Sequence, residues 1–530
     1  MRWGHEASAI PKAVPMPDTP GPLGEFADCA EFIVVSNRGP IEYHFDGYEG
    51  VNYVRGAGGV AAALSCITAI TPITWVFSAM TDGDRHVAAN GHDISDNGKK
   101  RNGVLHHNLD PHFVLMPPQV YHKYYEEFSN RVLWFLQHYM WNSPYEPSIG
   151  PSDYDAWKNG YVVANRLFAE KVTEVISHNK AMPIFLLQDF HLYLTPRLIR
   201  QRVPECIIQH FTHIPWPEPR YWELLPPGMR EDIYRSLVEA DILGFQTRQD
   251  AQNFLDSCQA FLKDARVDRS EDGVGIKGHM AHVRVYPISV DPVQLRRRLR
   301  SARVQAYVEE LRPFCGEKTI VRVDRLEPSK NIIRGLQAFD SLLATSPELV
   351  GKVKLVQFLV PSRDGVPEYR RYRKEVMKLI ASINDRYGRD GWKPLEVFYE
   401  NNYDRALAGL MLYDVLFVNP LIDGMNLVAK EGPIVNRKNG VLVLSEGAGA
   451  YHQLREGVVA VAAADVDGSC RALRTALTMS LREKRRRAQI LRRAIETEDI
   501  HRWFENQLTD IASILKRSSP RYLVMSSSNR

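Results

Sequence analysis

The sequence has few cysteines, no long apolar run and little net charge, and each shortage excludes a class of protein. No two cysteines form a CxxC pair, which favours isolated thiols in a reducing compartment; the six are Cys29, Cys66, Cys206, Cys258, Cys315 and Cys470. No apolar stretch approaches the roughly 20 residues of a membrane span, and the N-terminus lacks the pattern of a secretory signal. A net charge of +4 over 530 residues indicates neither a nucleic-acid nor a membrane partner. We therefore expect a cytoplasmic protein.

Common catalytic signatures are missing as well. No GxxxxGK[ST] string occurs, which argues against P-loop chemistry. The 17 histidines include no HExxH and no cluster with metal-ligand spacing, so we expect no metal. No GxSxG string is present and no nucleophilic triad can be assembled. His213, in HIPWP, is either a packed residue at a strand end or a cleft residue.

Short apolar, β-branched runs alternate with longer amphipathic segments along most of the chain. Such runs are typical of parallel strands covered by helices on both faces, and they are Phe32–Ser36, Thr74–Ser78, Ile184–Leu187, Ile207–Thr212, Ile242–Phe245, Thr319–Val323, Lys354–Val360, Val415–Val418 and Gly440–Leu444. The sequence therefore predicts an α/β protein.

The length of the chain suits two domains, and the character of the sequence changes after Val285–Asp291. We place a first domain at 31–290, a second at 291–495, and a helix at 496–516 that packs back on the first domain. The segments 1–30 and 517–530 are interpreted as loosely ordered tails. The basic stretch Leu295–Arg303 is interpreted as a solvated helix face. Two open parallel sheets would bind ligands in the cleft at the carboxyl ends of their strands.

Arg325 and Lys330 follow one predicted strand, in VDRLEPSKN. A guanidinium and an ammonium leading into a helix start could grip a diphosphate. Alternatively, they are surface cations that pair with Asp324 and Glu327.

A second cluster follows the run Val415–Val418, in DGMNLVAKE. Asp423 could accept hydrogen bonds from sugar hydroxyls, and Glu431 could bind the two hydroxyls of a ribose. The same residues are also compatible with an ordinary Asp-Gly turn and a helix surface.

Two further sets of residues give weaker evidence for a binding site when each is taken alone. The glycine-rich loop Arg55–Gly59 could cradle a phosphate, but it lacks the GxGxxG spacing and such loops are common turns. Tyr125 and Trp134 have helical spacing, which favours the core, whereas Arg363 follows a strand end, where a ligand group belongs.

Taken together, the strings and their order resemble the trehalose-6-phosphate synthase family of retaining, two-domain (GT-B) glycosyltransferases. The resemblance runs from about residue 32 to 510 and rests on VVSNRGP, GAGGV, YYEEFSNRVLW, QDFHLYLTPRLIR, HIPWPEP, DILGFQTRQDAQNFL, VDRLEPSKN, PSR, DGMNLVAKE and GVLVLSEGAGA. It implies two Rossmann-like domains whose parallel sheets face a central cleft. It also implies that a nucleoside diphosphate glucose and glucose 6-phosphate are the substrates, and that no cofactor is needed.

The resemblance carries site roles to matching positions. Arg325 and Lys330 would hold the donor diphosphate, and Asp423 the donor sugar. Other donor-binding residues would be Gly58, Gly59, Gln188, Met425, Asn426, Leu427 and Glu431. The acceptor phosphate would be held by Arg38, Tyr125, Trp134 and Arg363, with Asn159 at the acceptor sugar.

The implied reaction is front-face attack by the acceptor hydroxyl with retention of configuration, in which the leaving phosphate takes the proton. Domain closure over both substrates is expected. A homo-oligomer is compatible with the sequence.

Two of the assigned residues depart from the family pattern. Gln188 stands where many members have the histidine of HDYH, and Asn159 stands where an aspartate is expected at the acceptor sugar. LEPSKN and EGPIVN resemble an actinobacterial branch that tends to use GDP-glucose, so GDP-glucose is favoured over UDP-glucose. The alternatives are a pseudo-glycosyltransferase of the validoxylamine 7'-phosphate synthase type and a non-catalytic sugar-phosphate sensor.

Overall fold

The computed structural model describes residues 30–45, 51–55, 72–90, 109–177, 182–363, 365–389 and 391–518. The strands that precede residue 290 are β1 Ala30–Ser36, β2 Ile41–Phe45, β3 Val51–Arg55, β4 Ile73–Ser78, β5 Leu109–Val114, β6 Met182–Gln188, β7 Ile207–Phe211, β8 Ile242–Phe245, β9 Arg266–Asp268, β10 Gly273–Ile276 and β11 His279–Val285. Those that follow are β12 Lys318–Arg325, β13 Val353–Val360, β14 Leu395–Tyr399, β15 Val415–Val418, β16 Val441–Ser445 and β17 Val459–Val461.

Fifteen of these strands form two separate large sheets, and β2 and β3 pair with each other in an antiparallel two-stranded sheet. Within the described ranges, the first has nine strands in the order β5-β4-β1-β6-β7-β8-β11-β10-β9, and the second has six in the order β14-β13-β12-β15-β16-β17. The second is parallel throughout, and the first is parallel from β5 to β11. The strands β7, β15 and β16 are buried along their whole length, as expected for parallel strands with helices on both faces. The predicted α/β class is therefore confirmed.

Helices cover both sheets and connect their strands. In the first half they are Asp82–Asn90, Pro118–Tyr121, His122–Leu133, Trp134–Gln137, Pro151–Ala156, Trp157–Tyr161, Val162–Val175, Phe190–Leu192, Thr195–Arg202, Pro219–Trp222, Pro227–Leu237 and Arg248–Phe261. In the second half they are Pro292–Arg298, Ala302–Leu311, Arg312–Phe314, Pro328–Lys330, Ile332–Thr345, Pro347–Leu349, Pro367–Tyr387, Tyr403–Leu412, Val428–Val435, Tyr451–Leu454, Val466–Thr478, Leu481–Thr497 and Ile500–Ser518. Among the described residues, no helix is both long enough and apolar enough to cross a membrane.

The last helix, Ile500–Ser518, lies against the first sheet. The indole of Trp503 donates to the carbonyl of Tyr286 at 3.1 Å, and Gln209 donates to Gln507 at 2.6 Å. These contacts tie the end of the chain to strand β7 and to the residue after β11. The predicted domain limits themselves stay a prediction, and residues 1–29, 519–530 and the loop with Gly58 and Gly59 lie outside the described part of the chain.

The carboxyl ends of the parallel strands position the candidate side chains. Gln188 ends β6 and Arg325 ends β12, while Arg363 and Asp423 follow β13 and β15. Since the carboxyl ends of parallel strands meet at one edge of a sheet, each sheet presents its polar residues along one edge. The two edges meet: a Cβ added at Gly424 would lie 2.1 Å from the carbonyl oxygen of His213, on the other half.

Candidate active site

One buried carboxylate gathers three cations at the edge of the second sheet. Glu327 is fully buried and its two oxygens face Arg325 at 3.1 Å, Lys330 at 3.8 Å and Arg363 at 2.9 Å. Burial alone would raise the pKa of Glu327, but the three cations outweigh it and lower the pKa to about 2. The carboxylate is therefore a permanent anion at neutral pH, and it fixes the positions of the cations.

Lys330 also joins the two predicted donor clusters. Its ammonium lies 2.5 Å from a carboxylate oxygen of Asp423, and the side-chain amide of Asn426 donates to the same oxygen at 3.0 Å. The backbone amide of Leu421 donates to the carbonyl of Ser329 at 2.9 Å, which ties the two loops together. The structure thus brings Arg325, Lys330 and Asp423 into one cluster.

A buried arginine under this cluster explains why the loops fold this way. Arg322 has no exposed surface and donates twice to Asp324, at 3.0 and 3.1 Å. The same guanidinium donates to Asn419 at 2.6 Å and to the carbonyl of Lys330 at 3.2 Å. The planar guanidinium group can donate to several acceptors at once. Arg322 therefore holds together the loop that follows β12 and the loop that follows β15.

Glu431 lies in the first turn of the helix Val428–Val435 and is held by a neighbouring tyrosine. The hydroxyl of Tyr403 donates to it at 2.7 Å, and burial raises the pKa of the carboxyl. Arg298 lies 5.0 Å from the ring centre of Tyr403 and pairs with Asp404 at 2.6 Å. Arg298 of the basic stretch Leu295–Arg303 therefore contacts the site while its side chain stays 47% exposed, in agreement with a solvated helix face.

Met425 and Leu427 complete the second predicted donor cluster. Met425 is buried, and Asn426 has a left-handed backbone with φ 73°. Leu427 precedes the helix that carries Glu431. Their loop is held by Ala450, whose amide donates to the carbonyl of Met425 at 2.9 Å.

The predicted acceptor residues meet across the two halves. The guanidinium of Arg363 lies 3.8 Å from the ring centre of Trp134, and that of Arg325 lies 5.2 Å from it. Arg38 donates to the hydroxyl of Tyr125 at 3.2 Å. Burial opposes ionisation of Tyr125, but Arg38 and Arg363 outweigh it and lower the pKa of its hydroxyl. Tyr125 lies in a helix with π-helical geometry over His122–Leu133, a feature frequent at functional sites, and Trp134 begins the helix that follows it.

Asn159, which was predicted to contact the acceptor sugar, lies outside the cluster around Glu327. It is exposed on the helix Trp157–Tyr161, where its amide donates to Asp155 at 2.7 Å. The structure does not bring it to the cluster.

Asp189 occupies the cleft instead, and the sequence analysis did not single it out. It directly follows β6, has a left-handed backbone with φ 73°, and accepts from the amide of His213 at 3.1 Å. Burial raises its pKa to about 7, against the opposing effect of amide donors and of Arg325 and Arg363. The sequence offered one signal, since Asp189 lies two residues after the predicted strand Ile184–Leu187.

Gln188 forms a hydrogen bond with His213, and this contact indicates the protonation state of the histidine ring. His213 Nε2 lies 2.9 Å from Gln188 Oε1, and Gln246 Nε2 lies 3.3 Å from His213 Nδ1. A carbonyl oxygen on one nitrogen and an amide N–H on the other match a neutral ring with its proton on Nε2. Burial lowers the pKa of His213 to about 3, so the ring is uncharged. His213 is therefore neutral, and the close approach of Gly424 to its carbonyl oxygen places its backbone at the contact between the two halves.

His138 is a second histidine that sequence reasoning missed. It is buried, stacks on Trp134 with ring centres 3.8 Å apart, and bonds the carbonyl of Trp134 at 2.9 Å. Burial lowers its pKa to about 3. Among the described residues, no group of three or more His, Cys, Asp and Glu side chains could hold a metal ion.

Known proteins match the chain over most of its length. The model of glycosyltransferase family 20 matches residues 30–513. A trehalose-6-phosphate synthase of Mycobacterium avium is 30% identical over 505 residues, which are 93% of this chain and 96% of that protein. The UDP-forming alpha,alpha-trehalose-phosphate synthase A of Dictyostelium discoideum is 30% identical over 89% of this chain, which spans only 61% of that longer protein.

Solved structures match equally well. An E. coli structure bound with UDP-2-fluoro glucose is 27% identical, with a TM-score of 0.76 over 91% of this chain and 99% of that one. A UDP-forming alpha,alpha-trehalose-phosphate synthase from Burkholderia xenovorans in complex with glucose-6-phosphate is 26% identical, with a TM-score of 0.74 over 91% of this chain and 99% of that one. The predicted arrangement of two Rossmann-like domains, the GT-B fold, is confirmed by these neighbours.

Proposed function

The chain belongs to glycosyltransferase family 20, and on that premise we propose that it makes α,α-trehalose 6-phosphate from a nucleoside diphosphate glucose and glucose 6-phosphate. The observation that carries the proposal is the shared cluster of Arg325, Lys330, Arg363 and Asp423 around Glu327. It offers cations for two phosphorylated substrates and a carboxylate for a sugar at one place.

The donor binds to the second half of the chain in this proposal. Arg325, which is 45% exposed, and Lys330 hold the diphosphate, because a guanidinium and an ammonium form charge-assisted bonds to phosphate oxygens. Asp423 accepts from the sugar hydroxyls. Glu431 accepts from the ribose, and the amides from Met425 to Leu427 face donor sugar and phosphate.

The acceptor binds between the halves. Arg38, Tyr125 and Arg363 surround the phosphate, and Trp134 forms the wall on which Arg363 rests. Asp189 replaces Asn159 in the proposed role at the acceptor sugar, because Asp189 lies in the cleft and Asn159 is exposed and bonded to its own helix.

The proposed reaction retains the configuration of the donor sugar. The acceptor hydroxyl attacks the anomeric carbon from the face that the nucleoside diphosphate leaves, and the departing phosphate oxygen takes the hydroxyl proton. The protein then needs no nucleophile. It stabilises the charge on the leaving diphosphate through Arg325 and Lys330 and orients both substrates.

We keep GDP-glucose as the favoured donor, because LEPSKN and EGPIVN resemble the branch that tends to use it. Several relatives carry UDP-forming names, so UDP-glucose is the competing donor. No cofactor or metal takes part in the proposed mechanism, the expected compartment is the cytoplasm, and a homo-oligomer stays a prediction.

A donor panel tests the proposal. Purified protein is incubated with glucose 6-phosphate and UDP-, GDP- or ADP-glucose, and trehalose 6-phosphate is measured by mass spectrometry. We expect product with at least one donor, and GDP-glucose to give the highest kcat/KM. No product with any donor would overturn the proposal.

The R325A variant tests the diphosphate role. Loss of a charge-assisted contact to the leaving group costs about 2–4 kcal/mol, or roughly 30- to 1,000-fold in kcat. The matched control is R386A, because Arg386 is exposed and pairs with Asp340 and Tyr387, away from the cluster. Near-wild-type activity of R325A would refute the role.

Two alternatives give different results in the same assay. A pseudo-glycosyltransferase of the validoxylamine 7'-phosphate synthase type would prefer a cyclitol nucleotide and an aminocyclitol phosphate over the glucose substrates. A sugar-phosphate sensor would bind both substrates without turnover. The intact set of Arg325, Lys330, Asp423 and Glu431 favours the catalyst.

A further inference from the structure

A single carboxylate serves both proposed phosphate sites. Glu327 Oε1 faces Arg325 and Lys330, the cations proposed for the donor diphosphate. Glu327 Oε2 faces Arg363, the cation proposed for the acceptor phosphate. Two binding sites for different substrates therefore share one buried counter-charge.

The geometry around Arg363 explains how its side chain is held against Glu327. Arg363 has a left-handed backbone with φ 46°, a conformation that costs a non-glycine residue free energy. Its guanidinium donates to Glu327 at 2.9 Å and to the hydroxyl of Tyr369 at 2.8 Å, and it rests on Trp134. The strained backbone thus aims the side chain at Glu327.

We propose that Glu327 is a positioning residue that electrostatically couples the donor and acceptor phosphate sites. The inference rests on the proposed function, since it names the two sites by their substrates. Other ionisable groups face the same cluster: Asp423 lies on Lys330 and Asp189 lies near Arg325 and Arg363. Glu327 pairs directly with cations of both sites, which neither Asp423 nor Asp189 does among the described ion pairs.

The sign of the coupling follows from the charges. A phosphate bound at Arg363 draws that guanidinium away from Glu327, whose buried charge then depends more on Arg325 and Lys330. Those two cations are held more firmly and are less available to a diphosphate. The same reasoning applies in reverse, because coupling between two ligands is reciprocal. Glu327 therefore opposes simultaneous occupation of both sites, and this favours release of the nucleoside diphosphate after transfer.

Calorimetry on the full chain tests the coupling. The dissociation constant of glucose 6-phosphate is measured with and without a saturating nucleoside diphosphate (UDP or GDP, whichever wild type binds). The readout is the constant with the nucleoside diphosphate divided by the constant without it. In the E327Q variant we expect this ratio to fall about fivefold or more, which is the low end of couplings between sites. E327D keeps the charge and should keep the ratio close to wild type.

D324N is the matched control. Asp324 is a buried carboxylate three residues upstream that accepts from Arg322. Loss of a negative charge there should leave the ratio unchanged even if both affinities shift. An unchanged or higher ratio in E327Q, or the same fall in D324N, overturns the coupling.

Two outcomes separate this inference from the proposed function. If wild type binds neither ligand, the proposed function fails. If wild type binds both and E327Q keeps the wild-type ratio, only the coupling fails. Should E327Q not fold, R363A replaces it: we expect its affinity for UDP or GDP alone to fall about fivefold, and an unchanged affinity contradicts the coupling.

Discussion

Replacing Gly424 with alanine tests whether the two halves must touch for the reaction. Gly424 lies in the loop between Asp423 and Met425, and its backbone packs on the chain at His213 of the other half. An added Cβ would lie 2.1 Å from the carbonyl oxygen of His213 and 3.2 Å from the Cα of Ile214. Both neighbours are backbone atoms, which cannot rotate away as a side chain would.

The size of the perturbation follows from these distances. Ordinary contact with a Cβ begins at 3.4 Å, so the two backbones would have to part by roughly 1.3 Å. A misplacement of about 1 Å costs on the order of 100-fold in rate. We therefore expect G424A to lower kcat/KM about 100-fold. Binding of a nucleoside diphosphate alone should change much less, because Arg325, Lys330 and Glu431 all belong to the second half.

Steady-state kinetics together with calorimetric binding of UDP or GDP checks this prediction. G228A is the matched control, since a Cβ at Gly228 meets nothing within 4 Å and should leave kcat/KM within about twofold of wild type. Activity of G424A within threefold of wild type would refute the reasoning, because the close approach would then have no role. Loss of folding would appear in a thermal melt and must be absent for the test to count.

Three further substitutions probe single groups. The stability of D189N relative to wild type should rise by about 2–3 kcal/mol from pH 5 to pH 8, because the raised pKa of Asp189 makes wild-type stability fall from about pH 4 to pH 7; equal pH slopes in urea denaturation contradict this. Y403F removes the hydrogen bond to Glu431 and should raise the donor KM about 3- to 10-fold with little change in kcat; an unchanged donor KM counts against the ribose role of Glu431. N159A should keep kinetics within twofold of wild type, because Asn159 is exposed and bonds to Asp155 of its own helical segment; a tenfold loss would restore its proposed role at the acceptor sugar.

The strand pattern could be predicted from the sequence because burial on both faces leaves a continuous apolar run. The predicted strand Ile184–Leu187 is β6, Met182–Gln188, and the predicted Val415–Val418 is β15 with the same limits. Since the ends of parallel strands define the cleft, the positions of Arg325, Arg363 and Asp423 followed from the same reasoning. Their proximity to one another could not, because it depends on strand order and on the meeting of the two sheets.

The acceptor pocket shows where sequence reasoning fails. The assignment of Asn159 rests on a matching string, and a string does not show that this position lies on the exposed face of its helix. Asp189 was missed because its importance comes from a left-handed backbone at φ 73° and from the approach of His213. Neither feature has a signature in a non-glycine residue. Gln188 was singled out as a departure, and its effect became clear only through its contact with His213.

The two interpretations of Arg325 and Lys330, a diphosphate grip and a pairing with carboxylates, are compatible with each other in the observed arrangement. Both cations pair with Glu327, as the surface interpretation supposed, yet Glu327 is fully buried and Lys330 nearly so. Unpaired cations this close would repel one another and spread apart, and burying them without a counter-charge would cost several kcal/mol each. A carboxylate among them therefore keeps three cations close together, as the two proposed phosphate sites require. Pairing with a carboxylate is thus what lets the cluster exist, and it argues for a binding role as strongly as the cations themselves do.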